Sequence, residues 1–367
     1  HNQSKYTSIM KAIIRAAGQG TRLRPLTRTM PKPLVPVANK RLIEYAIDTI
    51  RGAGITEIGI VVNSLNSPIV ERFGTGETLG VQLEYIVQEE QLGLAHAAKL
   101  CRDFVGDDPF AMFLGDNIFQ DKMSDFIAAF PDTSADASIV LAEVPDPTRF
   151  GIAVVDNGKI GRVVEKPKDP PSNLAIVGVY LFRASVFDAI EKITPSARGE
   201  YEITDAIQEL INADKAITPY KIQGWYIDAG KPEPIILANQ LVLEDLPYSP
   251  PPAPDSPQIE GTSDISHRVI IGANSKIINS VVRGPVIIGD NTVIEDSYVG
   301  PYTAIGDNCR IDGSEIEASI VMNNCIIRLI PGRIDRSLLA DNAQVVSTER
   351  MPTAYRFVLA ENTIVEV

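Results

Sequence analysis

From Met10 to about Leu243, short apolar runs alternate with stretches whose apolar residues fall at helical spacing. Ala12 to Ile14, Ile58 to Val62, Leu83 to Val87 and Phe110 to Leu114 predict buried strands. Leu42, Tyr45, Ala46, Thr49 and Ile50 recur every three or four positions and predict a helix, as do Ala97, Leu100 and Phe104. Such alternation implies an α/β layer fold with a mostly parallel sheet. Ligands in these sheets sit outside the carboxyl ends of the strands, so the loops that follow strands are where chemistry is expected.

The pattern stops at Asp245. Between there and Ser263 stand Pro247, Pro250, Pro251, Pro252, Pro254 and Pro257, the composition of a stiff extended linker. Beyond it the period changes. Ile271-Gly272, Ile288-Gly289 and Ile305-Gly306 recur every 17 residues. Asn274, Asn291 and Asn308 keep the same step, as do Ile277, Ile294 and Ile311, then Ser280, Ser297 and Ser314, then Val282, Val299 and Ile316. Apolar residues every five or six positions within a unit predict a parallel β-helix of triangular coils, with Ile or Val pointing inward. The repeat continues less regularly to Val321 and Leu338, and Ala354 to Val367 is apolar enough to cap or pack on something. The expected division is 10–244 catalytic, 245–263 linker and 264–367 β-helix.

Charge sharpens the picture. The chain carries a formal net charge of −13, which argues against nucleic acid or an anionic membrane surface as partner. Yet Lys11 to Ile43 holds eight basic residues (Lys11, Arg15, Arg22, Arg24, Arg28, Lys32, Lys40, Arg41) and no acid. Within it the strand Ala12 to Ile14 runs into Gly18-Gln19-Gly20. Glycines let backbone N–H groups approach an anion, and Arg and Lys supply countercharge, so the stretch reads as a phosphate cradle. It lacks the third glycine of a dinucleotide fingerprint and the GxxxxGK[ST] of a P-loop. Pro31 and Pro33 flank Lys32 and fix the chain that carries its ammonium.

Three cysteines (Cys101, Cys309, Cys325) form no CxxC pair, which suits a reducing cytoplasm. No run of ~18 apolar residues predicts a membrane span. His1 to Ile9 is polar, lacks the apolar core of a signal peptide, and reads as an added stretch ahead of Met10.

Two strand-like runs end in a carboxylate, Phe110 to Leu114 before Asp116 and Ile222 to Ile227 before Asp228. Asp is a hard oxygen ligand suited to Mg²⁺ beside phosphate oxygens, though a strand-end Asp is as often a turn former. Phe150-Gly151 followed by Val164-Glu165-Lys166-Pro167 places an acceptor beside a donor, fit for a sugar hydroxyl and a phosphate, or equally a solvated hairpin end. In Arg198-Gly199-Glu200-Tyr201-Glu202-Ile203-Thr204-Asp205, Arg198 could clamp a second phosphate, and Thr204 and Asp205 could equally cap a helix.

Together the segments AAGQGTRLRPLT, PKPLVPVANK, LGLAHA, LGDN, VEKPKDPPSNLAIVGVYLF, RGEYEITDAI and GWYIDAGKPE resemble those of sugar-1-phosphate nucleotidyltransferases, and more narrowly the long form of glucose-1-phosphate thymidylyltransferase. The resemblance runs over essentially all of 10–367. It implies a Rossmann-like sheet with helices on both faces and a left-handed β-helix. It further implies that Ala17, Gly18, Gly20 and Thr21 cradle the triphosphate, with Arg22 and Lys32 neutralising charge at the transferred phosphate and the leaving pyrophosphate. Gln88 and Gly93 would read the pyrimidine edge. Asp116 and Asp228 would hold Mg²⁺. Asn117, Gly151, Glu165, Lys166 and Ile176 would hold the sugar, with Arg198 near its phosphate. A homo-oligomer is implied as well. The sequence departs from the family at Arg15, usually apolar or Pro, at Arg41, usually Pro, and at Ala17 and Ala229, usually Gly and Thr.

The implied substrates are dTTP or UTP and a hexose 1-phosphate. Two other classes stay open. Some two-domain relatives also transfer acetyl groups with a histidine on the coils, and here the repeats offer only His267. Other proteins of this layout serve as inactive binding subunits.

Overall fold

The computed structural model describes residues 10–252 and 258–347. The apolar segment Ala354 to Val367 and the polar segment His1 to Ile9 lie outside the described residues. The chain forms two compact units. Among the described residues, one comprises 10–19, 31–33 and 43–226, and the other 20–30, 34–42, 227–252 and 258–347.

The first unit is built on a nine-stranded sheet. Its strands are β1 (Lys11–Arg15), β2 (Glu57–Val62), β3 (Gln82–Val87), β4 (Phe110–Leu114), β5 (Ala137–Glu143), β6 (Gly151–Asp156), β7 (Lys159–Glu165), β8 (Leu174–Phe182) and β9 (Ile217–Lys221). The spatial path is β7-β6-β8-β4-β1-β2-β3, with β5 joining β8 to β9. β4, β1, β2 and β3 run parallel, whereas β8 pairs antiparallel with β4, β5 and β6. The sheet is thus mixed and Rossmann-like. β1 is central, and Ala12, Ile13 and Ile14 are almost entirely out of solvent.

Helix α1 (Leu42–Gly52) falls where the spacing predicts it, with Leu42, Ile43, Ile47 and Ile50 fully buried. Three local expectations change. β3 has a sheet neighbour on one side only, so it is half-exposed rather than buried. The single helix expected through Ala97, Leu100 and Phe104 is two, α2 (Leu94–Leu100) and α3 (Arg102–Val105), breaking at the buried Cys101. The run Ile222 to Ile227 is not one strand. β9 stops at Lys221, and the backbone N–H groups of Gln223 and Gly224 turn to the carboxylate of Asp121 at 2.9 and 2.6 Å. A Cβ on Gly224 would meet Gln120 and Asp121 within 2.8 Å, so glycine is what lets the chain turn there.

The second unit contains three stacks of short parallel strands. Registers such as Ile277↔Ile294↔Ile311↔Ile327 place equivalent residues of successive coils over one another, an arrangement that fits a left-handed β-helix. Ile277, Ile294, Ile311, Val282, Val299 and Ile316 are all fully buried, as the repeat predicts. The repeating asparagines Asn274, Asn291 and Asn308 take positive φ at one corner, a conformation their short polar side chains tolerate. The repeating serines form a ladder in which Ser280 Oγ accepts from Ser297 N at 3.0 Å and Ser297 Oγ from Ser314 N at 3.2 Å. The first strand of the stack, Ile259–Glu260, already lies within the segment expected as linker.

Helix α4 (Pro232–Glu244) and residues 34–42 belong to this unit too. Asn239, fully buried on α4, accepts from Ala38 N at 2.8 Å and donates to Tyr302 O at 2.9 Å. Asn39 Nδ2 donates to Ile305 O at 2.6 Å.

Replacing a stacked interior residue leaves a cavity between two coils that cannot close. Ile294→Ala is expected to cost about 2–5 kcal/mol in urea unfolding. Ile270→Ala, at a side chain 46% exposed, is expected to stay within about 0.5 kcal/mol.

Candidate active site

In the first unit, the carboxyl end of β1 leads into a loop whose basic residues find specific partners. Arg15 donates from Nη2 to Gln91 Oε1 at 3.2 Å, and Gln91 is held in turn by Asn63 at 2.8 Å. The Arg15 guanidinium lies 3.6 Å from where a Cβ on Gly18 would stand, and its Nε is buried without a hydrogen bond. The side chain of Ala17 is wholly buried in the core, so only its backbone is available to a ligand. Lys32, only 8% exposed, forms a short ion pair with Asp116 just beyond β4. A cation this deeply buried requires such a partner.

Asn117 is also buried and packs over Gly178 on β8. The β8 register shifts between Ile176 and Tyr180, Gly178 has φ +49°, and a Cβ there would lie 1.9 Å from Asn117 Nδ2. Glycine is therefore required on two grounds, close approach and left-handed backbone.

Gly151 and Glu165 sit opposite each other in the β6–β7 register. A Cβ at Gly151 would meet Thr204 at 2.5 Å, Glu165 at 3.2 Å and Ile176 at 3.7 Å, so these four converge. Glu165 accepts from Thr204 Oγ1 at 3.0 Å and Arg198 Nη2 at 3.1 Å, with Lys166 Nζ at 3.4 Å. Arg198 also donates to the buried Glu202 at 2.7 Å, which accepts from Ser196 Oγ at the same distance. Burial first, then the neighbouring Glu202 and Glu165 charges, raise the pKa of Asp205. Arg198 is thus already committed to carboxylates. Thr204 does not cap the helix Ile203–Asn212, whose N-cap is Glu202 and has no side-chain cap bond. Sequence reasoning missed Glu202 and Gly178. The repeated acids around Arg198 and the lone glycine within an apolar strand were the available signals.

Gln88, fully buried at the end of β3, donates from Nε2 to Gly93 O at 3.1 Å. Its Oε1 has no hydrogen bond. Gly93 has φ +98°, and a Cβ on it would strike the Tyr201 backbone at 2.6 Å.

In the second unit, Gly20 takes the left-handed conformation (φ 59°) and opens a short 3-10 turn at Thr21–Leu23. Thr27 Oγ1 donates to Gly20 O at 2.7 Å. The Arg22 guanidinium and the Asp228 carboxylate lie side by side at Gly230, within 3.4 and 3.5 Å of where its Cβ would be. Arg41 Nη1 donates to Leu34 O at 3.0 Å, which gives this departure from the family a structural use. Asp116 therefore has a paired cation, and Asp228 shares the space at Gly230 with Arg22. Both aspartates offer the hard oxygen donors that suit Mg²⁺. Among the described residues, no three His, Cys, Asp or Glu side chains gather into a metal cage.

In the first unit, the glycine-bearing loop after β1 and the Lys32–Asp116 pair stand at strand ends of a Rossmann-like sheet, features that suit a transferase handling phosphates. A family model described as nucleotidyl transferase matches residues 11–245, and the chain belongs to that family. Within it, the chain is a sugar-1-phosphate nucleotidyltransferase close to the long form of glucose-1-phosphate thymidylyltransferase. It is 41% identical over 359 residues to the glucose-1-phosphate thymidylyltransferase of Streptomyces griseus, covering 98% of this chain and 99% of that one. It is 50% identical over 238 residues to the low-salt glycan biosynthesis nucleotidyltransferase Agl11 of Haloferax volcanii, covering 64% and 67%. A solved UDP-glucose pyrophosphorylase with UDP-glucose bound superposes with a TM-score of 0.58 at 27% identity, covering 64% of this chain and 99% of that one. No helix among the described residues is long and apolar enough to cross a membrane.

Gly178→Ala is expected to force Asn117 aside and strain the backbone, lowering unfolding free energy by about 1–3 kcal/mol. A urea midpoint unchanged from the parent chain would show that β8 can move to absorb the methyl.

Proposed function

We propose that this chain transfers a thymidylyl or uridylyl group from dTTP or UTP to α-D-glucose 1-phosphate, releasing pyrophosphate. The observation that carries the base assignment is the buried amide of Gln88, whose oxygen has no partner. A buried acceptor of that kind is satisfied by an N–H donor, and uracil and thymine each carry one at N3. The dTTP reading draws on likeness along the whole chain to the Streptomyces griseus thymidylyltransferase. The UTP reading draws on 39% identity over 239 residues to a protein of Haloferax volcanii named UTP–glucose-1-phosphate uridylyltransferase.

A sugar phosphate oxygen attacks the α-phosphorus, the new P–O bond forms, and the bond to the β-phosphate oxygen breaks in line. A phosphate monoester has its second pKa near ~6, so the nucleophile is ionised at neutral pH without a general base. The obstacle is repulsion between two polyanions. Positioning and countercharge supply the rate. Arg22 and Lys32 neutralise the transferred phosphate and the departing pyrophosphate, over a cradle formed by Gly18, Gly20 and Thr21. Asn117, Gly151, Glu165, Lys166 and Ile176 hold the sugar, and Arg198 steadies its phosphate end. Members of this family generally depend on a divalent metal. Asp116 and Asp228 would hold Mg²⁺, which when bound polarises the α-phosphate.

Pyrophosphate release over a panel of dTTP, UTP, CTP, ATP and GTP with several hexose 1-phosphates tests the assignment; a maximum on a purine nucleotide would overturn it. Arg22→Ala is expected to lower turnover roughly 10²- to 10³-fold, the loss typical of one positioned charge donor. Asp228→Asn is expected to raise the Mg²⁺ concentration needed for half-maximal rate, and an unchanged metal titration would remove Asp228 as a ligand.

A further inference from the structure

We propose that His96 fixes which way the Gln88 amide faces, and thereby makes the site select nucleobases that carry an imide N–H. The inference rests on the reading above that Gln88 meets the base. The Gln88 amide nitrogen lies 3.1 Å from Gly93 O and 3.0 Å from His96 Nδ1. A carbonyl oxygen has no proton to give, so the nitrogen end of the amide must face Gly93. Its second proton then points at Nδ1, which can accept it only as the lone-pair nitrogen of a neutral ring protonated on Nε2. With both donors placed, Oε1 is the atom left over, and it is the atom without a hydrogen bond. Uracil and thymine present N3–H to such an acceptor. Cytosine presents a bare N3, setting acceptor against acceptor.

The surroundings keep His96 neutral. It stands on α2 and lines a cavity of about 590 Å³ with Lys99, Arg102, Asp103, Glu191 and Tyr201. Burial and then the Lys99 charge lower its pKa below that of a free imidazole, against an upward pull from Glu90. Lys99 pairs with Glu191 at 3.1 Å, and Arg102 lies over the Phe187 ring at 5.6 Å. Protonated His96 would turn an N–H toward the amide N–H. The amide would then lose that contact or rotate its oxygen against Gly93 O. Base recognition is therefore complete above the lowered pKa of His96 and declines as pH falls through it.

The test uses the full chain and compares the kcat/KM ratio of UTP or dTTP over CTP in the parent, His96→Leu, His96→Asn and Gln88→Ala. His96→Leu is expected to drop the ratio about tenfold or more, mainly through the KM of the imide nucleotide, as one uncompensated buried polar contact does. His96→Asn, whose amide oxygen can accept in place of Nδ1, is expected to hold the ratio within about threefold. It should also lose the extra decline in nucleotide affinity expected of the parent as pH falls below the ordinary imidazole range. The substrates themselves ionise in that range, so the difference between the two profiles is what counts. Should His96→Leu fail to fold, the Asn variant and its pH profile still decide. A ratio kept by His96→Leu but lost by Gln88→Ala overturns the role of His96 alone. A ratio kept by Gln88→Ala overturns the reading of Gln88 and this inference with it. Superimposable profiles for the parent and His96→Asn overturn the protonation argument.

Discussion

Positive charge must be gathered in a molecule that is itself acidic, and the pairing of Lys32 and Arg198 with carboxylates is the constraint the rest answers to. Lys32 shows it most plainly. Its ammonium is buried, and a buried charge is costly unless an opposite charge meets it, as Asp116 does here. The same logic repeats at Arg198 between Glu165 and Glu202. A phosphate arriving at such a pair meets a cation already oriented, so little reorganisation remains for the moment of reaction.

Glycine placement decides which side chains can converge. Gly151 brings Thr204, Glu165 and Ile176 against one backbone, Gly178 admits the Asn117 amide, and Gly93 lets its helix start against Tyr201. In each case a single methyl would occupy space that a functional side chain or backbone now fills. Small residues at strand ends therefore do as much to shape this cleft as the polar residues that give it its chemistry.

Much of this was legible in the sequence because it rests on local periodicity. The 17-residue repeat predicts the inward set Ile277, Ile294 and Ile311, since coils stacked in register must repeat their buried residues at the coil length. Sign inversion over 11–43 marks the basic loop. What was not legible depends on partners distant in sequence. Nothing near Thr204 distinguishes a cap from a bond to Glu165, 39 residues away. Nothing near Lys221 says that the chain will turn to meet Asp121 instead of continuing as strand, because the competing acceptor is about a hundred residues earlier. The half-exposure of β3 likewise follows from its place at the sheet edge, which no apolar run encodes.

Within the second unit, polar bonds tie the β-helix to α4 and to residues 34–42. Asn239 is fully buried and spends both ends of its amide, one on the Ala38 N–H and one on the Tyr302 carbonyl. Asn39, itself exposed, reaches the Ile305 carbonyl just beyond Tyr302. A buried amide such as that of Asn239 costs free energy unless each end is matched, so its geometry is specified more sharply than that of an apolar contact. The residues so held, 34–42, directly follow the segment that carries Lys32. The stack of coils thereby supplies a carbonyl to a stretch of chain that is also held by the pairing of Pro36–Val37 with Lys40–Arg41 and by bonds from Arg41 and Leu42 to the Leu34 and Val35 carbonyls. A regular repeat suits that task, because its carbonyls sit at positions set by the coil spacing and do not shift with the loop they anchor.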